Sequence, residues 1–355
     1  MDEAAIRECL LQARSDNDEA LLSAADIGEI VIEADWFAVR LGSIAAPLSL
    51  LKRLHAILAS SFPEAEIELR NGHDVFRGGE GLGPGKRVIA VMGGKGGVGK
   101  STLALNLALT FSAMGMKAGI IDADLAGPDI PHLLGVHPME FPRQRGWTLS
   151  SASMLPRSKR PVPPVRFTVG AMSIGFSLPE RQWTHIAGEN FASMLLRYML
   201  YEVQWDADVL IIDAPPGTGP EVQVMARELP LAGVLFVTTP QDLAQMDAGR
   251  TITLLSEQGV PVIGLVLNMA SLTCPHCDHE IDLYEQSPRL QDDGVEILAR
   301  IPFDLRLSRN ADQGLPLVLG DPTGPMAYLF ARIGARVRRW LRENPDSANR
   351  KTFVG

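Results

Sequence analysis

From residue 87 onward, short runs of β-branched and other apolar residues recur without polar alternation, at 88–92, 118–121, 209–212, 234–238 and 262–267. Strands buried on both faces of a parallel sheet carry this pattern. Between the runs, residues 101–114, 191–203, 221–228 and 243–257 show helical spacing of apolar positions. The alternation predicts an α/β fold with a doubly wound, mostly parallel sheet and helices on both faces. Residues 138–164 are rich in Pro, Arg and Ser, lack periodicity and read as a long loop.

The first 70 residues have a different rhythm. A helix is predicted over 4–14, then short strands at 29–33 and 36–41 joined at Ala34-Asp35. Pro47 opens a second helix running to about residue 60, and 66–70 closes the unit as a strand. This is a small α+β domain. Residues 71–86, with Gly78, Gly79, Gly81, Gly83, Pro84 and Gly85, read as a flexible linker. The large domain then spans 87–342, with 343–355 as a C-terminal tail.

Composition narrows the classes. A hydrophobic fraction of 46% and a charged fraction of 21% are those of an ordinary globular chain. The net charge of −9 argues against broad nucleic-acid binding, which needs a basic footprint. No apolar run approaches the roughly 20 residues of a membrane span. Met1-Asp2-Glu3 opens without a basic and apolar leader. With only Cys9, Cys274 and Cys277, a disulfide framework is implausible, and the expected location is cytoplasmic.

The run Gly94-Lys95-Gly96-Gly97-Val98-Gly99-Lys100-Ser101 fits G-x-x-x-x-G-K-[ST], placed after a predicted strand and before a predicted helix. Its glycines let backbone N–H groups turn inward around phosphate oxygens, and the helix start adds its positive end. Lys100 is expected on the β- and γ-phosphates of ATP, Ser101 on Mg2+, and Thr102 near the phosphate closest to the helix. Lys95 marks the deviant-Walker variant of the loop, in which the early lysine reaches a partner's nucleotide across a dimer. Two acidic elements follow predicted strands: Asp122-Ala123-Asp124, and Asp213 opening Asp213-Ala214-Pro215-Pro216-Gly217-Thr218-Gly219. Open α/β sheets place ligands at such strand ends. Asp124 is expected to position the attacking water, Asp122 to support the magnesium shell, and Asp213 to hold Mg2+ through a water. Asn268, ending the run 262–267, is placed to read the base.

Cys274-Pro275-His276-Cys277 supplies two thiolates, whereas an iron–sulfur or zinc site normally takes four ligands. Either two copies of the chain pool Cys274 and Cys277, or His276 and His279 complete a zinc site. A redox dithiol is the third reading, although the pair does not open a helix after a strand.

These motifs together resemble the Mrp/ApbC family of P-loop iron–sulfur cluster carriers. The resemblance covers residues 87–342 and is carried by 93–102, 122–131 (DADLAGPDIP), 172–176 (MSIGF), 213–219 (DAPPGTG), 237–247 (VTTPQDLAQMD), 268–277 (NMASLTCPHC) and Ile301-Pro302. Residues 1–70 are similar, more weakly, to a small domain preceding the ATPase in bacterial members. The resemblance implies a homodimer that assembles a labile [4Fe–4S] cluster on Cys274 and Cys277 of both copies, passes it to apo iron–sulfur proteins, and hydrolyses ATP slowly. It also supports Asn268 as a base contact. The chain departs from the family at Ala126 (usually Tyr), at Pro220 (usually Asp), at Ile186-Ala187-Gly188-Glu189 (usually Trp-Arg-Gly-Pro) and at Ala46-Pro47 (usually Cys-Pro).

Two other classes compete. A positioning ATPase of the ParA/MinD type is suggested by a basic amphipathic helix over 325–342, which could lie on an anionic membrane. Such a protein gives the C-x-x-C no role. An electron donor like the nitrogenase iron protein also shares a cluster across a dimer, but its ligating cysteines lie far apart in sequence.

Overall fold

The computed structural model of the chain describes residues 2–15, 20–33, 36–41, 48–71, 74–76, 87–136, 162–176, 195–274, 276–277, 279–284 and 294–345. The expectations for 34–35, 46–47, most of the linker, 137–161, 186–189 and the tail beyond 345 lie outside these residues.

In the N-terminal unit, α1 (Glu3–Leu11) starts where Asp2 caps it, accepting from the Ala5 amide at 2.7 Å. It and α2 (Leu48–Ser61) cover one face of a sheet of β1 (Ile27–Glu33), β2 (Trp36–Leu41), β3 (Glu66–Asn71) and β4 (Asp74–Phe76), in that order. Ile6, Leu10, Phe37, Val39, Leu54, Leu58, Ile67 and Leu69 form its core. The fourth strand falls inside the stretch read as linker. It pairs antiparallel with β3, so the sheet extends to Phe76.

The large unit is an eight-stranded sheet of β5 (Arg87–Met92), β6 (Ala118–Asp122), β7 (Val165–Arg166), β8 (Val169–Met172), β9 (Val209–Asp213), β10 (Leu231–Thr238), β11 (Val262–Leu267) and β14 (Ile297–Arg300). Its order is β14-β11-β10-β5-β9-β6-β8-β7, parallel throughout except at β7–β8. The missing polar alternation has a direct cause in β5. Ile89 and Val91 enter one core with Leu103 and Leu107, while Val88, Ala90 and Met92 enter the other with Met199, Trp205 and Leu255. Helices α3 (Lys100–Ala113), α4 (Ile130–Leu133), α5 (Pro220–Glu228), α6 (Asp242–Glu257), α7 (Leu305–Asp312), α8 (Leu317–Gly320) and α9 (Pro325–Glu343) complete this unit among the described residues. A small hairpin, β12 (Ser271–Thr273) and β13 (Glu280–Asp282), projects beyond β11.

The helix expected over 191–203 is described only from residue 195 and closes in a π-helical turn, Tyr198–Glu202. The Trp205 indole N–H donates to the carbonyl of Met199 there at 2.8 Å. Pro220 occupies the first turn of α5, where no amide donor is needed, so this departure from the family pattern starts the helix.

The C-terminal helix settles one competing reading. Met326, Phe330, Ile333, Val337 and Leu341 of α9 are buried in the core, and Gly334 lets the helix close on Thr110 of α3. Arg336 donates to the Leu298 carbonyl at 2.8 Å and pairs with Glu296. The apolar stripe that a membrane-lying helix would use is therefore inside the protein, which removes the motive for the positioning reading. Truncating Phe330 to Ala should cost about 3–5 kcal/mol, read as a lowered denaturant midpoint. A loss below about 1 kcal/mol would mean that the helix is not part of the core.

Candidate nucleotide and thiol site

The ends of β5, β6, β9, β10 and β11 converge on one cleft. The loop after β5 is held by its neighbours: Gly217 N donates to Gly93 O at 3.1 Å, and Ala214 N to Val91 O at 3.1 Å. Gly99, at φ +93°, precedes α3, and any side chain there would run into the Asn268 amide. At Gly94 a Cβ would stand 2.5 Å from the Ala248 amide nitrogen, so α6 presses directly on the loop. Both glycines are required by space as well as by phosphate geometry. Gly97, Gly99, Lys100, Ser101 and Thr102 open onto a cleft of about 330 Å3 whose far wall is Asn268, Met269, Pro302, Phe303 and Leu307.

Each predicted residue has a definite place. Lys100 is buried at the start of α3. The Ser101 hydroxyl lies 3.4 Å from Asp129 Oδ2, a carboxylate the sequence reading did not assign. Asp213 is fully buried, and neither carboxylate oxygen has a hydrogen-bond partner. Burial pushes its pKa up to about 7, against the opposing pull of the Ser101 hydroxyl and the Lys100 charge. Two orphaned carboxylate oxygens beside a P-loop serine fit a Mg2+ shell, the hard-cation chemistry such oxygens suit.

Asp122 stands next to Asp213 in the β6–β9 register but is occupied differently. Its Oδ1 accepts from the Asp124 amide at 3.2 Å, and its Oδ2 from the Ile130 amide at 3.2 Å and the Ser173 hydroxyl at 2.9 Å. Burial and the neighbouring Asp213 hold its pKa well above the usual carboxylate range. With its oxygens committed to three donors, Asp122 braces the loop 123–130, and any support to a magnesium shell is indirect. Asp124 is half-buried, accepts from the Gly127 amide at 3.2 Å, and is raised mainly by desolvation.

Lys95 points at Asp247 of its own chain, 3.4 Å away, and Arg250 contacts the same carboxylate at 3.0 Å. Asn268 donates its side-chain amide to Val98 O at 2.8 Å. It thus fastens the phosphate loop to the end of β11, a role that strand-end placement did not suggest. Met269 follows at φ +54°, a conformation seldom adopted outside glycine.

The thiol hairpin grows from this segment. Ala270 N donates to Ile301 O at 2.9 Å, Phe303 N to Ser271 O at 2.6 Å, and Cys274 N to His279 O at 2.9 Å. Cys277 is exposed and Cys274 partly so. The His276 and Cys277 backbone N–H groups, with the Cys277 thiol, hold the Cys274 thiol below its ordinary pKa. Among the described residues, no group of three or more His, Cys, Asp or Glu side chains could hold a metal. The zinc reading through His276 and His279 is not supported by this arrangement: one copy offers two thiols. Among these residues, too, no helix is long and apolar enough to cross a membrane.

Comparison with known proteins gives the family. Residues 85–338 match the family model described as ParA, the NUBPL iron-transfer P-loop NTPases. The chain is 35% identical over 265 residues to the iron–sulfur cluster carrier protein of Pyrococcus horikoshii, covering 73% of this chain and 88% of that one. A nucleotide-binding protein of Archaeoglobus fulgidus, solved with ADP, is 32% identical with a TM-score of 0.52, over 64% of this chain and 86% of that chain. The septum site-determining protein MinD of Pyrococcus horikoshii, at 22% identity and TM-score 0.56 over 73% and 98%, shares the fold. The sequence, the doubly wound sheet and the matched span together place this chain in the NUBPL iron-transfer P-loop NTPase family.

Proposed function

We propose that the protein is an ATP-hydrolysing iron–sulfur cluster carrier. As a homodimer it holds a labile [4Fe–4S] cluster as cargo on Cys274 and Cys277 of both copies and delivers it to apo iron–sulfur proteins in the cytoplasm. The observation that carries this reading is the continuity of one segment, 268–274. Its first residue, Asn268, fastens the phosphate loop, and its last, Cys274, is the first thiol of the C-x-x-C, held to His279 across the hairpin. Phe303 belongs to both places, lining the nucleotide cleft and bridging to Leu272 of the hairpin. A change at the nucleotide is thereby felt at the thiols.

In this reading Gly94, Gly96, Gly97, Val98, Gly99, Lys100, Ser101 and Thr102 cradle the phosphates, Asn268 lines the base side, and Ser101 and Asp213 hold Mg2+. Bound there, the ion neutralises charge on the β- and γ-phosphates. Asp124 orients water, and Lys95 of one copy supplies charge to the nucleotide of the other. Two thiols per copy match a four-thiolate cluster only when two copies meet. The expected result for Cys277→Ala is loss of bound iron with ATP binding retained, measured by iron analysis and nucleotide titration on the same sample. Unchanged iron content would rule out the bridging site.

A further inference from the structure

The segment 172–176 (MSIGF) is absorbed by none of the roles above, yet it touches the site. We propose that Ser173 is a positioning residue for ATP hydrolysis, setting the loop 123–130 that carries Asp124 and Asp129; this rests on the reading of Asp124 as the residue that orients water. Ser173 is fully buried. Its hydroxyl donates to Asp122 Oδ2 at 2.9 Å and accepts from the Gly175 amide at 3.1 Å. The same Asp122 oxygen takes the Ile130 amide, and the other takes the Asp124 amide. One carboxylate therefore ties the end of β8 to both ends of the loop.

Packing reinforces the hydrogen bonds. A Cβ on Gly175 would lie 3.0 Å from Pro131 Cγ and 3.3 Å from Pro128 Cγ. Two prolines with fixed φ make that stretch stiff, so a shift of the 173–176 turn passes into the loop rather than being absorbed. Asp129, between them, is the residue facing Ser101. Removing the Ser173 hydroxyl leaves a buried carboxylate oxygen short of a donor and frees the turn. Misplacing a water-orienting group by about 1 Å costs on the order of 100-fold in rate.

The test is steady-state ATP hydrolysis by full-length Ser173→Ala and Gly175→Ala, with nucleotide affinity and thermal unfolding measured on the same preparations. Both variants should lose roughly 10- to 100-fold in kcat, with the KM for ATP within about twofold of wild type. Gly175→Ala keeps the hydroxyl but presses on both prolines and, at 3.3 Å, on the Ser173 oxygen itself. The two variants thus disturb one turn by different means, and agreement between them assigns the effect to its position. Wild-type kcat in both would overturn the proposal. So would a joint collapse of kcat and ATP affinity, which marks loss of the site as a whole. Lys100→Ala in the same assay separates the two failures. Retained turnover there sinks the nucleotide reading and this proposal with it, whereas an inactive Lys100→Ala beside wild-type kcat in the Ser173 and Gly175 variants sinks this proposal alone.

Discussion

Replacing Asp213 by Asn should make the nucleotide-free protein more stable at pH 8 while abolishing Mg2+-dependent hydrolysis. The carboxylate is buried, has no hydrogen-bond partner, and titrates near 7 instead of at its ordinary 3.8. A carboxyl whose folded pKa is raised binds more protons folded than unfolded, so its contribution falls as pH rises from about 4 to about 7. Above that window the fold carries a buried charge that Ser101 and Lys100 offset only in part, costing on the order of a few kcal/mol. Asn has nearly the same shape and no charge. The melting temperature without Mg2+ or nucleotide should therefore rise by several degrees at pH 8, and the gain should vanish near pH 4. A variant less stable than wild type at pH 8 would mean that the carboxylate is not a stored cost. In the proposed reading the cost has a use, since the same two oxygens without a hydrogen-bond partner are the ones offered to Mg2+.

That site was partly legible in the sequence. The P-loop, Asp213 and the C-x-x-C are local patterns visible from residue type and spacing, although spacing alone left three readings open for the C-x-x-C, and the parallel strands announce themselves by apolar runs. What spacing does not carry is who touches whom across the sheet. Asp122 and Asp124 look alike in sequence, yet one is locked by Ser173 and Ile130 while the other faces the loop. Asp247, 152 positions from Lys95, became its partner only once β10 and α6 were folded beside β5. The strands β7 and β8 escaped notice because their turn, Phe167-Thr168, uses positive φ at two non-glycine residues, without the Asn-Gly or Gly signal that marks such turns. The edge strand β14 has four residues and one buried pair, Leu298 and Ala299, too little pattern to register.

The second large effect concerns Lys95. In one chain it is paired with Asp247, and both side chains are partly exposed. A pair of that kind is worth about 0–1 kcal/mol, whereas a cation supplied in trans to a phosphoryl-transfer transition state is worth about 10³–10⁵ in rate. The ion pair is thus weak enough to be given up on dimerisation. Lys95→Ala alone and Asp213→Asn alone should each be inactive. Mixing them under conditions of subunit exchange should restore turnover, because a Lys95→Ala copy with an intact Asp213 receives the lysine of its Asp213→Asn partner. With random pairing into symmetric dimers, recovery should approach about a quarter of wild type. Absence of any recovery, with exchange verified by mass, would place the lysine's action within its own chain.

The central claim is that two copies hold one cluster as cargo, and it is most directly tested by anaerobic reconstitution followed by iron and sulfide quantitation against the dimer concentration. The account predicts about four irons and four sulfides per dimer, with the charge-transfer absorption of a thiolate-bound cluster. Bound zinc, or no metal at all in a protein that still binds ATP, would contradict it.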